Sequence, residues 1–479
     1  MKPIIRYRRL YALKLALVVL IGIIAPAPAW CKSALNVLLI TIDDLRPELS
    51  VYGVDTIYTP NIDALASQGT VFTRAFAQMA TCSPSRTSMM TGLRPDTTKV
   101  YNLKTHFRTT IPTVVRLPQY FKQNGYQTKG IGKVYHVGLD DPASWTLPSV
   151  TAFGNIIKPL GPDGKRLAYA AINAPVSNFS ETRVANAAIS ALRNLQTAPF
   201  FLAVGFRKPH LPFYAPAEFF DQYDPWVIPL AENPFRAIGA PDIAFENASE
   251  LRTYSEIPAP QFITETQARE LKWGYYAATS FTDSQIGRVL TELKNLNLED
   301  STLVVLWGDH GFHLGEQLDW GKHMNFDVAT RIPLIIRVPG QVEIGKQSHA
   351  LVELVDLYPT ITKLAGLPIP GVAEHGGYAL EGDSLAQFIA NPPSQSRRGA
   401  FSQWRRSGYK GHSIRTDGYR FTEWTKSGVP AIHELYDHQK DPSETMNVVS
   451  HPAYAAILVD LKTALHDGGQ KDLPASLLP

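Results

Sequence analysis

The side chains with the clearest chemistry are three carboxylates and one imidazole that come after two apolar runs. They are Asp43, Asp44, Asp309 and His310. The first pair follows the run Asn36–Ile42, and the second pair follows the run Leu303–Trp307. Such runs are typical of parallel strands buried on both faces, and ligands gather beyond their carboxyl ends. Carboxylate oxygens suit a hard cation, so this pattern, together with residue 82, predicts a site for Ca²⁺ or Mg²⁺, although histidine is an unusual calcium ligand.

Cys82 opens the stretch Cys82–Arg86, which reads CSPSR, and the only other cysteine of the chain is Cys31. The residue types alone fit a small buried thiol beside a helix start, in which Ser83 or Ser85 caps the helix. Cys31 lies in the region where a leader peptide would be cleaved. We therefore expect Cys82 to be an unpaired thiol.

Further basic and imidazole groups follow other predicted strands or lie shortly after Asp309 and His310. They are Lys133, His136, His210 and Lys322. Prolines on both sides of His210 stiffen the loop that presents it, which makes it a candidate proton donor. Taken singly, each of these residues is also compatible with an ordinary exposed lysine or a solvated histidine.

The scaffold that must position these groups is indicated by further apolar runs at Phe200–Phe206 and Ile332–Val338. Helical stretches lie between the runs, and one of them starts with a capping-box pattern at Thr264 and Gln267. The alternation predicts an α/β fold with a large, mostly parallel central sheet flanked by helices.

Near residue 405 the pattern changes to short strand-like runs separated by turn dipeptides. The runs are Ser413–Arg415, Tyr419–Trp424 and His433–Tyr436, and a last helix is expected over Ala453–Leu465. We therefore expect a main catalytic domain over residues 30–406 and a small antiparallel sheet-plus-helix subdomain over residues 407–479. The proline-rich segment 221–260 has few periodic signals and predicts a surface excursion.

Residues 1–29 predict a signal peptide, because basic residues precede the apolar core Leu15–Ile24 and small residues follow it. That core is too short to span a bilayer, and no later run is long enough. We expect an exported protein, periplasmic or secreted, without a membrane span. Removing the five basic side chains of this segment takes the formal net charge of the 479-residue chain from +3 to −2. This balance argues against nucleic acid as a partner.

Six blocks of the sequence, in order, resemble the type I sulfatase family, and in particular the branch of iduronate-2-sulfatase and its bacterial relatives. They are Leu39–Leu45, Thr81–Pro95, Gly130–His136, Lys208–Phe213, Gly308–Glu316 and Asn325–Thr330. The resemblance implies the alkaline-phosphatase-like sulfatase fold. It also implies hydrolysis of a sulfate ester.

Within this resemblance, the CSPSR stretch is similar to the signature at which a formylglycine-generating enzyme oxidises a cysteine to formylglycine. The hydrated aldehyde offers one hydroxyl that attacks the ester and another that later expels the sulfate. The implied metal ligands, with Ca²⁺ preferred over Mg²⁺, are Asp43, Asp44, residue 82, Asp309 and His310.

The same resemblance assigns roles to the basic groups around residue 82. Arg86 and Lys133 would neutralise the hydrate and the sulfate, and His136 would take a proton from the remaining hydroxyl. His210 and Lys322 would bind the sulfate and serve the leaving oxygen.

The implied substrate is a sulfated saccharide, in the first place a 2-O-sulfated uronic acid at a chain end. Segments 140–178 and 221–260 would wall the site into a pocket, and Arg415 would hold the carboxylate at its mouth. Phe312 stands where the iduronate branch has tryptophan. The alternatives are a choline-sulfatase-like enzyme, a phosphonate monoester or phosphodiester hydrolase, and a non-catalytic polysaccharide-binding protein. A binding protein is expected to have lost a nucleophile or a metal ligand, and none is lost here.

Overall fold

A computed structural model of the chain describes residues 35–151, 153–154, 157–257, 262–396, 398–468 and 472–478. The predicted signal peptide and Cys31 lie outside these residues. The strands within them are β1 (Asn36–Ile42), β2 (Thr70–Phe76), β3 (Gln127–Gly132), β4 (Tyr169–Ile172), β5 (Phe200–Phe206), β6 (Phe213–Pro216), β7 (Thr302–Gly308), β8 (Arg331–Arg337), β9 (Lys346–Glu353), β10 (Ala400–Arg406), β11 (Tyr409–Arg415), β12 (Tyr419–Lys426) and β13 (Val429–Asp437). The α-helices are α1 (Pro60–Ser67), α2 (Cys82–Thr91), α3 (Pro95–Thr98), α4 (Leu117–Gln123), α5 (Ser180–Leu195), α6 (Ala217–Phe220), α7 (Glu265–Asn295), α8 (Asp327–Thr330), α9 (Leu357–Leu364), α10 (Ala386–Ala390) and α11 (Ala455–Asp467).

The central sheet has seven strands in the order β3-β5-β1-β7-β8-β2-β9. All of them except β8 run in one direction, which confirms the mostly parallel sheet. The run Ile332–Val338 was expected to be a further parallel strand, and this expectation is wrong, because β8 is antiparallel to both of its neighbours. The chain between β7 and β8 contains a 3-10 turn at Glu316–Leu318 and the one-turn helix α8, but no crossover helix. It therefore stays at the edge where β7 ends.

Both faces of the central sheet are buried under helices. Along β1, Val37 and Leu39 pack in one core cluster, whereas Leu38 and Ile40 pack in the other. The first cluster includes residues of α2, α4 and α9, and the second includes residues of α1, α5 and α7. Each fully buried aliphatic side chain contributes about 1.5–3 kcal/mol to folding. The two-sided burial explains why these strands are continuous apolar runs.

Helix α7 begins at the predicted capping box, in which the side chains of Thr264 and Gln267 each bind the other residue's backbone N–H. Further along this helix, the Tyr275 hydroxyl donates to the Asp44 carbonyl at 2.9 Å and accepts from the Arg46 N–H at 3.1 Å. Asp44 itself has a φ of 60°, in the left-handed region that few residues other than glycine adopt. The helix thus holds the strained turn that follows β1.

A second, antiparallel sheet of four strands in the order β10-β11-β12-β13 lies toward the carboxyl terminus. Its first strand, β10, begins at Ala400, before the boundary predicted at residue 407. The Gln403 N–H of β10 donates to the Gln78 carbonyl, which follows β2 of the central sheet, at 2.8 Å. Helix α11 covers one face, where Leu461 and Leu465 pack in the cluster that contains Phe421. The division of the chain into two domains stays a prediction. Among the described residues, no helix is both long enough and apolar enough to cross a membrane.

We expect Tyr275→Phe to lower the free energy of unfolding by about 1–3 kcal/mol, because it leaves a buried N–H and a buried carbonyl without their partner. Chemical denaturation measures the change. Tyr58→Phe is the matched control, since Tyr58 is 55% exposed. Equal midpoints for the two variants would show that the Tyr275 bridge contributes nothing.

Candidate active site

The ends of β1 and β7 bring together the Asp43–Asp44 pair and the Asp309–His310 pair that follow them in the sequence. In the parallel register Ile42 lies opposite Gly308, so the residues that follow are neighbours. The Asp309 N–H donates to the Ile42 carbonyl at 3.3 Å, and the Asp44 N–H donates to Asp309 Oδ1 at 3.0 Å. These carboxylates are fully buried. Adjacent strands therefore collect three acidic side chains in a place that solvent does not reach.

Helix α2 delivers Cys82 to the same place. The helix begins at Cys82 itself, so Ser83 and Ser85 lie inside its first turn and the expectation that one of them caps it is wrong. Cys82 is a free thiol that is 1% exposed, and its Sγ lies 3.4 Å from His310 Nε2. Burial, and next the negative charge of Asp43, raise the pKa of this thiol well above its ordinary value. Unmodified, it is a poor nucleophile.

Arg86 and Lys133 compensate the charge of the buried carboxylates. Arg86 Nε donates to Asp309 Oδ2 at 2.9 Å, and its Nη2 lies 3.3 Å from Asp43 Oδ1. Lys133 Nζ forms an ion pair with Asp43 and lies 3.5 Å from Cys82 Sγ. Burial alone would raise the pKa of Asp43, but Lys133, His210 and Arg86 hold that pKa well below its ordinary value. Asp43 is therefore a carboxylate at any physiological pH.

Lys322 and His210 approach the carboxylates from the other side. Lys322 Nζ lies 2.8 Å from both oxygens of Asp44, and His210 Nε2 lies 4.0 Å from Asp43 Oδ2 and from Asp44 Oδ2. His210 Nδ1 is 2.7 Å from the Leu211 carbonyl, which directs Nε2 toward the site. Burial and the charge of Lys322 lower the pKa of His210 to about 3. The imidazole is therefore neutral in the free protein.

His136 is the least engaged of the predicted residues. It is half-buried, and its Nδ1 lies 3.3 Å from the Val137 carbonyl. Burial and the nearby charge of Lys133 lower its pKa to about 4. A neutral imidazole beside this cluster is able to accept a proton.

The donor atoms fit a divalent cation. Ligand atoms of Asp43, Asp44, Cys82 and His210 lie within 4.8 Å of one another, as do those of Cys82, Asp309 and His310. Burial raises the pKa of Asp44 to about 6, because its desolvation outweighs the charge of Lys322. His310 Nδ1 lies 2.9 Å from the Gly311 carbonyl, which leaves Nε2 for an ion. His210 falls in the same group, although from the sequence it was expected to bind the sulfate and protonate the leaving oxygen and not to be a metal ligand.

Glu250 is a site residue that the sequence analysis missed. Its carboxylate lies 3.3 Å from Lys322 Nζ and 3.4 Å from His210 Nε2. Burial would raise its pKa, but Lys322 and His210 lower that pKa to about 2. Glu250 lies in the proline-rich segment 221–260, where neither periodicity nor a motif distinguishes it.

Two residues that the sequence associated with the substrate lie elsewhere. Arg415 was expected at the mouth of the site, and this is wrong, because its Nε donates to Asp327 at 2.9 Å and its Nη1 binds backbone carbonyls. Phe312 is 1% exposed and packs on Tyr275 and Phe213. Phe312 therefore belongs to the core below Lys322 and not to a wall open to solvent.

Comparison with known proteins gives matches over most of the chain. The profile of the family called sulfatase matches residues 35–367, and the profile for the carboxyl-terminal part of N-sulphoglucosamine sulphohydrolase matches residues 315–471. Iduronate 2-sulfatase of Mus musculus is 35% identical to this chain over an alignment that covers 90% of this chain and 93% of the mouse protein.

Two solved structures have similar folds. A protein in complex with its substrate D-glucosamine-2-N,6-O-disulfate gives a TM-score of 0.75 at 21% identity and covers 91% of this chain and 97% of its own. The phosphonate monoester hydrolase of Agrobacterium radiobacter gives a TM-score of 0.74 at 24% identity and covers 90% of this chain and 95% of its own. At these identities the likeness shows the fold alone.

We expect Asp309→Asn to weaken divalent-ion binding strongly, because it removes one carboxylate charge from the donor group. In the metal-stripped wild type, Ca²⁺ at 100 times its dissociation constant should raise the free energy of unfolding by about 2.7 kcal/mol, and the variant should show no such gain. Thermal unfolding with and without Ca²⁺ or Mg²⁺, and metal analysis after dialysis, measure this. Asp55→Asn, at an exposed position, is the control. Equal metal content in both variants would contradict the site.

Proposed function

The chain belongs to the sulfatase family and is a sulfuric ester hydrolase, and we propose that it removes the sulfate from position 2 of a uronic acid at the end of a sulfated saccharide. The observation that carries the proposal is the buried cluster in which residue 82 meets three carboxylates, His310 and Lys133. The substrate is proposed from the 35% identity to iduronate 2-sulfatase across nearly the whole of both chains.

We propose that a maturation enzyme oxidises Cys82 to formylglycine, whose hydrate is the nucleophile. The high pKa of the buried thiol supports this, since an unmodified Cys82 holds its proton and reacts poorly. The hydrate replaces the thiol by two hydroxyls. One of them attacks sulfur and displaces the sugar oxygen. Loss of the proton from the other later re-forms the aldehyde and expels the sulfate.

A divalent cation, Ca²⁺ in the first place and Mg²⁺ as the alternative, would be held by Asp43, Asp44, residue 82, Asp309 and His310. When bound, it supplies positive charge that lowers the pKa of the attacking hydroxyl. Lys133 stands 3.5 Å from the residue 82 side chain and compensates charge on the hydrate. Arg86 acts through the carboxylates, because its guanidinium donates to Asp43 and Asp309 and otherwise to the backbone carbonyls of Lys133 and Val134.

Two histidines move the protons in this proposal. His136, neutral and half-buried, removes the proton of the second hydroxyl when the sulfate leaves. His210 is neutral in the free protein, but the negative charge of an arriving sulfate ester favours its protonated form. His210 can then protonate the departing sugar oxygen, while Lys322 neutralises the sulfate. Glu250, in contact with both His210 and Lys322, also favours the protonated histidine.

The walls of the site support action at a chain end. Segment 221–257 contributes Glu250, and residues of segment 140–154 line a cavity beside His136. A walled pocket encloses a terminal sugar better than the middle of a chain. We further propose that the protein is exported to the periplasm or secreted, where sulfated saccharides are accessible.

A phosphonate monoester or phosphodiester hydrolase is the second candidate, because a hydrolase of phosphonate monoesters shares the fold. Both transfers depend on positioning and on charge stabilisation, so the fold does not separate them. The non-catalytic binding protein is disfavoured, since every predicted nucleophile and ligand position is retained in one cluster.

We expect peptide mass spectrometry to detect formylglycine at residue 82 in protein that is co-expressed with a formylglycine-generating enzyme. Cys82→Ala should then lose turnover entirely, while its thermal unfolding stays close to that of the wild type. Cys82→Ser is the matched control, because it keeps a hydroxyl but not the hydrate. An unmodified thiol in protein that hydrolyses sulfate esters at full rate would refute the proposal.

We expect release of sulfate from an oligosaccharide that carries a 2-O-sulfated uronic acid at its non-reducing end, and none when the same residue is internal. Ion chromatography of the released sulfate measures both. Parallel assays with 4-nitrophenyl sulfate and with phosphate and phosphonate esters, and with choline sulfate, should favour the sulfated sugar. Equal release from internal positions would indicate an open groove, and preference for a phosphonate ester would favour the second candidate.

A further inference from the structure

A cavity of about 340 Å³ lies directly beside the reactive cluster, between the loops that follow β3 and β5. Lys133 and His136 form part of its wall, and so does Arg207, the residue after the end of β5. We propose that Arg207 binds the carboxylate of the substrate's uronic acid in this cavity. The inference rests on the proposed function and names the part of the substrate that Arg207 recognises.

Arg207 lacks a partner within the described part of the chain. Its Nε is buried and has no hydrogen-bond partner there. Nor does its guanidinium form an ion pair or hydrogen bond with any residue that the structure describes. A desolvated donor without an acceptor costs free energy, and an arriving anion would remove that cost.

The two carboxylates in the wall of the cavity accept hydrogen bonds from other donors. Glu181 accepts from the Lys208 N–H at 3.2 Å and from the Ser180 hydroxyl at 2.8 Å. Asp140 accepts from Trp145 Nε1 at 3.1 Å and from the Ser149 hydroxyl at 2.5 Å. Neither carboxylate forms an ion pair with Arg207 in the described part of the chain, which leaves its guanidinium for a ligand.

The shape of a uronic acid ring agrees with this placement. In a uronic acid ring the carboxylate is attached across the ring from carbon 2, so a sulfate at residue 82 places the carboxylate about one ring width away. The cavity begins at Lys133 and His136 and is large enough for one sugar ring. Lys133 cannot serve the carboxylate, since its Nζ is paired with Asp43. A guanidinium binds a carboxylate through two parallel hydrogen bonds.

The test compares Arg207→Ala and Arg207→Lys with wild type. Arg288→Ala is the charge-matched control, because Arg288 is exposed on α7 and binds only Gln285 and Asn186. The substrates are a disaccharide with a terminal 2-O-sulfated uronic acid, its carboxyl-reduced counterpart, and 4-nitrophenyl sulfate. A fourth substrate is the carboxyl-reduced disaccharide with an additional sulfate on the adjoining sugar.

For the uronic acid substrate we expect Arg207→Ala to raise KM roughly 10- to 100-fold, the effect of losing a charged hydrogen bond. The KM for the other three substrates should not change. Arg207→Lys should recover part of the loss, since lysine keeps the charge without the two parallel bonds. If the alanine variant does not fold, the lysine variant decides by the same comparison. Equal effects on the acid and its carboxyl-reduced counterpart, or an effect confined to the doubly sulfated substrate, would overturn the assignment.

A binding measurement separates this inference from the proposed function. In a Cys82→Ala background, which cannot turn over, calorimetry should show the same loss of affinity for the uronic acid substrate when Arg207 is replaced by alanine. Wild-type protein with verified formylglycine that hydrolyses no sulfate ester would refute the proposed function alone. Affinity that is unchanged by Arg207→Ala would refute the role of Arg207 alone.

Discussion

The structure depends on one electrostatic constraint, the burial of Asp43, Asp44 and Asp309 at the ends of two adjacent strands. Carboxylates without solvent are costly unless opposite charge lies against them. The compensating charges come from three separate parts of the chain, namely Arg86, Lys133 and Lys322. Each of these segments must therefore be in place before the center of the protein is electrically balanced. The folded arrangement of these segments is thus the one that the charge balance of the site requires.

The antiparallel direction of β8 keeps the loop before it close to the buried carboxylates. Because β8 returns antiparallel to β7, the chain from Asp309 to Thr330 never leaves the edge where the carboxylates lie. Lys322 is on this segment and binds Asp44. A crossover helix would have taken the segment to the opposite edge, since parallel neighbours need one. The single reversed strand thus keeps Asp309, His310 and the positively charged Lys322 on one continuous loop.

Most of the fold and of the cluster could be predicted, because both rest on local patterns. Two-sided burial produces continuous apolar runs such as Asn36–Ile42, and parallel strands bring the residues after such runs to one edge. The direction of β8 could not be read, since an apolar run carries no sign of its orientation. Glu250 could not be found either, because its role comes from the two residues it contacts across the fold and not from its neighbours in sequence. The position of Arg415 was predicted wrongly for a similar reason, because its partner Asp327 is 88 residues away in the sequence.

Strand β10 binds the segment that precedes Cys82, although the two lie far apart in the sequence. Its residue Ser402 donates to the carbonyl of Ala77, in the loop just before Cys82, across a separation of 325 residues. At about 5–20 residues per second, a ribosome needs on the order of tens of seconds to add that length. Throughout this interval Cys82 has been made but the strand that binds the segment before it has not. The segment next to the thiol therefore lacks one of its native partners until most of the chain has been synthesised.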